Sequence, residues 1–272
     1  MDFGKKPQSR AYIFFDRLFR LFVCNILTVA SMAIPCSLFI FLLMDLGINY
    51  DPSNMDTLML LFWIAVGSFL ITFPFLILPA ITATTITIKE VNSSVKIFRE
   101  WFYNFKTHYV KSMYLGLIYA SLFGIVVFAL YFYSNANLIE INNPEYAKLF
   151  MQIQNILLQA GFVVVIIFLV ALVCLVVHVP LLVITLPNLS VLDLLKTNIF
   201  MSINHFINTI ILITMLMISV IGFTFFPIWI IFGISLPVMI GIRFSKVNYA
   251  ELEKVDFEKI NNLVDEDLEN EE

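Results

Sequence analysis

His178 is the residue most able to do chemistry in this chain. It is the one titratable side chain well inside an apolar run, away from the run's ends. An imidazole titrates near neutral pH, which suits a proton relay. Ionisable groups at membrane depth are functional hypotheses by default. A relay usually needs a carboxylate partner at similar depth, and the apolar runs carry no mid-run Asp or Glu. Pro180, two residues on, supplies no N–H to its own helix and frees a backbone carbonyl that His178 could satisfy. Asn25, Pro74 and Pro79 should lie at a similar, inner depth and complete a cluster with His178 and Pro180. That cluster reads first as helix-packing glue and second as a small polar vestibule open to the cytoplasm.

The other chemistries have less to stand on. Cys24, Cys36 and Cys174 all sit in apolar runs, and no CxxC spacing or His/Cys grouping suggests a metal or redox centre. The sequence has no P-loop, no HExxH, no GxSxG and no carboxylates paired at a catalytic spacing. We therefore expect no enzyme activity, no cofactor and no metal. There is no basic footprint for nucleic acid.

These residues are set in elements of unusual composition. Of 272 residues, 60% are hydrophobic and 13% charged, against roughly half and a quarter in a soluble domain. The excess lies in runs such as 161–186 and 207–242, longer than the roughly 18 residues that mark a membrane-crossing helix. The basic N-terminus followed by an apolar stretch imitates a signal peptide, but the stretch is too long and lacks a small-residue cleavage site. It reads as a retained first span.

The fold expected is all-α, a polytopic bundle with spans near 18–45, 57–79, 112–133, 153–186, 206–222 and 225–242. Residues 1–17 form an N-terminal tail, 18–242 the membrane domain and 243–272 an acidic tail. One straight helix over 206–242 would measure about 55 Å against a hydrocarbon core near 30 Å. Two short spans turning near Gly222–Pro227 fit better, giving six spans, with five as the alternative. Six spans with both termini cytoplasmic put 15 of the 16 Lys and Arg on the inner side, leaving only Lys148 outside, whereas five leave 11 inside. The net charge of −4 conceals a polarity. Residues 249–272 hold ten acidic residues and two lysines, or −8, so the rest is +4 (−4 minus −8). A basic body suits anionic lipid.

Two further patterns concern packing. Ser112, Gly116, Ala120 and Gly124 repeat small residues every fourth position, which lets helix backbones approach closely in lipid. An intramolecular seam is the first reading and a dimer face the second. Between spans 2 and 3, Ile97, Phe98, Trp101, Phe102, Phe105 and Tyr109 share one helix face. Lys96, Arg99, Tyr103, Asn104 and Lys106 lie on the other. This predicts an amphipathic cytoplasmic surface helix, an anchor to the leaflet or a docking platform for a partner or anionic lipid through Lys96, Arg99, Trp101, Phe102, Phe105 and Lys106. Proline-bearing ends at Pro74 and Pro180, each followed by a connection and another span, form a weak internal echo of the parallel repeats found in some transporters.

Several of these stretches carry a family resemblance. The run from Phe14 to Leu21, leading to Asn25 and Pro35, resembles the start of the YesL family of bacterial integral membrane proteins. Leu78-Pro79-Ala80-Ile81-Thr82-Ala83 resembles its Pro-Ala-x-x-Ala element, with Leu78 where the family has Gly. Phe98, Trp101, Phe102, Phe105 and Lys106 resemble its cytoplasmic segment, and Leu195-Lys196-Thr197-Asn198 with Asn204 its second connection. The resemblance covers most of 12–242. It implies a multi-pass protein of the bacterial plasma membrane without an assigned biochemical role, whose members accompany carbohydrate-uptake and polysaccharide-degradation genes. The partners it implies are the lipid bilayer and a membrane transport complex. The alternative is a small-molecule transporter or channel with a site in the inner half of the bilayer.

Overall fold

The computed structural model describes residues 10–45, 55–90, 96–135, 144–225 and 233–248. Every element among them is helical: α1 (Arg10–Asp45), α2 (Met55–Thr72), a π-helical turn (Phe73–Ile77), α3 (Leu78–Glu90), α4 (Ile97–Asn135), α5 (Pro144–Thr185), α6 (Val191–Asn204), α7 (Phe206–Phe225) and α8 (Ser235–Asn248). Three stretches are long and apolar enough to cross a membrane: Met59–Lys89, Ile97–Ser134 and Met151–Thr185. A fourth arises if α6 and α7, bent by 95° at His205, form one broken span. The chain is thus an all-helical membrane protein. The acidic tail beyond Asn248 lies outside the described residues.

The helix of span 2 does not end at its prolines. Pro74 falls at the start of the π-helical turn, where Leu78 N–H reaches back five residues to Phe73 O. The wider turn accommodates a residue that has no N–H and crowds the preceding carbonyl. The helix then continues through the Thr-rich piece to Glu90. Thr is a mediocre helix former in water because its hydroxyl competes for backbone groups. Here Thr82, Thr85 and Thr87 donate to the carbonyls of Leu78, Ile81 and Ala83, at 2.7–2.9 Å. Each hydroxyl is satisfied by its own helix, so the run stays helical.

The segment expected as a separate surface helix is the first four turns of α4, continuous with span 3. Its apolar residues do not share one environment. Ile97 and Trp101 are 1% and 2% exposed and pack with Val23, Cys24, Ala80 and Ala83, whereas Phe98 and Phe102 are each 58% exposed. The inward face follows the spacing Ile97, Trp101, Asn104, so Asn104, expected on the outward polar side, is instead buried where its amide reaches Thr87. An amphipathic reading weighted by hydrophobicity alone sets that face in the wrong direction.

The small-residue stripe on α4 is an intramolecular seam. A Cβ on Gly116 would meet Pro74 Cα at 2.6 Å, and one on Gly124 would meet Leu70 at 3.2 Å. Buried Ser112 and Ala120 continue the line. The stretch 206–242 divides into α7 and α8, but Gly222 lies within α7 rather than at the turn. Residues 226–232 are outside the described set. The echo between the two proline-bearing units is partial. In the first the break falls in the entering helix at 73–77, and in the second it falls after the connection, at His205.

Candidate functional site

Four interhelical joints engage many of the buried polar residues, while Thr82, Thr85 and Ser219 bond within their own helices and Ser112 Oγ has no hydrogen-bond partner. The first is at Asn25, fully buried on α1. Its Oδ1 accepts the backbone N–H of Ile234 at 2.8 Å and of Ser235 at 3.1 Å. The opening turn of a helix has N–H groups without intrahelical partners and carries the positive end of the dipole. Asn25 thus serves α8 as an N-cap would, from a different helix.

The second joint ties α1, α3 and α4. Trp101 Nε1 donates to Thr84 Oγ1 at 2.8 Å, the Thr84 and Thr28 hydroxyls share a short hydrogen bond, and Thr28 donates to Cys24 O at 2.9 Å. Read in one direction, this is a chain from indole to hydroxyl to hydroxyl to carbonyl. One turn along α4, Asn104 Nδ2 donates to Thr87 Oγ1 at 3.2 Å.

The third joint lies one turn before Pro180. A proline at that position removes the hydrogen bond to Val176 O and strains the turn before it. Asn198 of α6 donates through Nδ2 to Leu175 O at 2.9 Å and to Tyr119 Oη of α4 at 2.5 Å. Asn198 therefore joins three helices at the loosened turn. Ser190 fixes the start of α6, accepting from Asp193 N at 3.2 Å and donating to its carboxylate at 2.6 Å.

His178 makes the fourth. Its Nε2 is 2.7 Å from Thr209 Oγ1, just past the α6–α7 bend, and Thr209 lies 3.1 Å from His205 O. With Thr209 donating to that carbonyl, the imidazole donates through Nε2. The ring is 2% exposed. The arrangement clips α5 to the bend.

The five residues expected to cluster thus have separate duties. Asn25 caps α8, Pro74 abuts Gly116, Pro79 is buried in α3, His178 binds Thr209, and Pro180 lines a cavity of about 110 Å³. That cavity lies among Phe73, Leu78, Leu181, Leu212 and Pro237 and is apolar. Lys96, Arg99, Phe102 and Lys106 are exposed, Phe105 is half-buried and stacks on buried Trp101 at 5.3 Å. Among the described residues, no group of three or more His, Cys, Asp or Glu side chains could hold a metal ion. No protein family, curated protein or solved structure matches the chain.

Sequence reasoning missed Thr28, Thr84, Tyr119 and Thr209. The Thr-rich run offered a signal for Thr84, because hydroxyls in lipid must find acceptors. Thr209 had none, since its partner is set by a bend no local pattern announces.

Proposed function

We propose that the chain is a non-catalytic accessory protein of the bacterial plasma membrane, with six spans and both termini in the cytoplasm, serving a carbohydrate-uptake system. The observation that supports this reading best is the use of its buried polar side chains. Asn25, Thr84, His178 and Asn198 each bond to another helix. A path for a polar solute would instead leave such groups facing a wet passage. The link to carbohydrate uptake rests on the resemblance to the YesL family. The exposed side of the α4 start, with Phe102, Arg99 and Lys106, offers aromatic and basic groups to a transport subunit and the inner leaflet.

Photo-crosslinking amino acids at Arg99, Phe102 and Lys106 in growing cells test the partner. Crosslinks to a subunit of a carbohydrate importer are expected. Crosslinks to lipid alone would reduce this surface to an anchor and remove the accessory assignment.

The second reading is a small-molecule transporter. It draws on the 95° break at His205, just before the Thr209 that His178 binds, because transporters build sites from discontinuous helices. His178→Gln separates the two, since Gln donates and accepts but does not titrate. With growth on the relevant carbon source as readout, the accessory reading expects near wild-type growth at normal abundance. Loss of growth at normal abundance favours transport.

A further inference from the structure

Asn198 is tied down by one end of its amide only. Nδ2 donates to Leu175 O at 2.9 Å and to Tyr119 Oη at 2.5 Å, which uses both of its hydrogens. Oδ1 is buried and accepts no hydrogen bond among the described residues. Turning the amide over would set its oxygen against Leu175 O, so that carbonyl fixes the orientation. Tyr119 has the opposite shortage. Its oxygen accepts from Asn198, and its own O–H meets no acceptor among the described residues. Tyr119 is 2% exposed and Asn198 1%, so neither is open to solvent or lipid.

A buried donor and a buried acceptor left unpaired side by side are costly. These two also lie within bridging distance. The nitrogen and oxygen of one amide are about 2.3 Å apart, which puts Tyr119 Oη within about 5 Å of Asn198 Oδ1. One water at about 2.8 Å from each spans such a gap. Room and a third partner are at hand. Tyr119 and Val176 border one cavity of about 160 Å³, more than a water needs. Pro180 has no N–H for Val176 O, the carbonyl next to the one that Asn198 binds. About three polar partners is the usual coordination of a buried water.

We propose that a single water molecule is bound at this point, between α4, α5 and α6. It accepts the Tyr119 O–H and donates to Asn198 Oδ1 and to Val176 O. The rest of the cavity wall is carbon, chiefly Phe69, Phe73, Phe123 and Leu172, and gives a second water nothing to bond. The site therefore takes one water and opens no path. It completes the joint at the turn that Pro180 loosens, where Asn198 alone supplies donors but no used acceptor. The inference does not depend on the accessory role.

The test is water-edited solid-state NMR of the full chain in lipid bilayers, with isotope-labelled asparagine and histidine. The Asn198 side-chain signal is identified by its loss in Asn198→Asp. Magnetisation is expected to pass from water to the Asn198 amide. It should not reach the amide of Asn25, whose oxygen already accepts two N–H groups, nor the buried His178 ring. No transfer at Asn198 in the wild-type chain overturns the proposal. Equal transfer at Asn25 or His178 would show general wetting of the bundle, which also overturns it. Tyr119→Phe keeps the ring and removes the O–H that anchors the water. Most of the Asn198 transfer should then be lost, and transfer unchanged in Tyr119→Phe would contradict the assigned coordination. Should that variant fold poorly, the wild-type spectrum alone still decides.

Discussion

Asn25 and Ser235 stand 210 positions apart in the chain, and the side chain of the first accepts the backbone N–H of the second at 3.1 Å. One buried amide thus decides where the last described helix begins. In a soluble protein a serine or aspartate beside the helix would do this locally. Here Ser235 is itself the first helical residue and the acceptor comes from α1.

Replacing Asn25 with Ala leaves the N–H groups of Ile234 and Ser235 short of an acceptor in a buried place. We expect a loss of about 1–3 kcal/mol, the cost of an orphaned buried donor. Thermal unfolding of the purified protein in detergent measures it. Wild-type stability for Asn25→Ala would mean that water or another group supplies the cap.

Glycine substitutions should separate by position. Gly116→Ala puts a methyl 2.6 Å from Pro74 Cα, a backbone atom that cannot swing aside, so α4 must shift. We expect destabilisation of about 1–3 kcal/mol, as for overpacked cores. Gly67→Ala meets nothing within 4 Å and should stabilise α2 by up to about 1 kcal/mol through helix propensity. Equal effects of the two would remove the close α4–π-turn seam from the account.

Trp101 and Phe102 are neighbours with opposite surroundings, one buried against α1 and α3 and the other exposed. Trp101→Phe removes the donor to Thr84 and should cost about 0.5–1.5 kcal/mol, while Trp101→Ala should cost about 3–5. Phe102→Ser should leave stability near wild type but raise protease cleavage around 95–108 in inside-out vesicles if the ring holds this end to the leaflet. Large destabilisation by Phe102→Ser would contradict the burial pattern.

How much of this was legible in the sequence depended on the kind of signal. The helical class, the long apolar runs and the small-residue seam follow from period and composition, which are local. The passage of the helix through Pro74 was not legible, because a π-helical turn rescues it and proline normally signals an end. The split between Ile97/Trp101 and Phe98/Phe102 was lost for a related reason. Hydrophobicity does not say whether a residue faces lipid or protein, because both are apolar. Asn25 and His178 were recognisable as buried polar groups needing partners. Their partners, Ser235 and Thr209, are fixed by tertiary packing and left no trace along the chain.

The central claim is that the polar groups around His178 join helices instead of lining a wet path, and thiol accessibility at Thr209 tests it most directly. Thr209→Cys, and separately Ser202→Cys, are made in protein lacking the three native cysteines. Each is exposed to a charged, membrane-impermeant thiol reagent in right-side-out and in inside-out vesicles. The account predicts no labelling from either side in native membranes and full labelling after denaturation. Labelling at Thr209→Cys from both sides of the membrane would reveal a water path past His178 and contradict it.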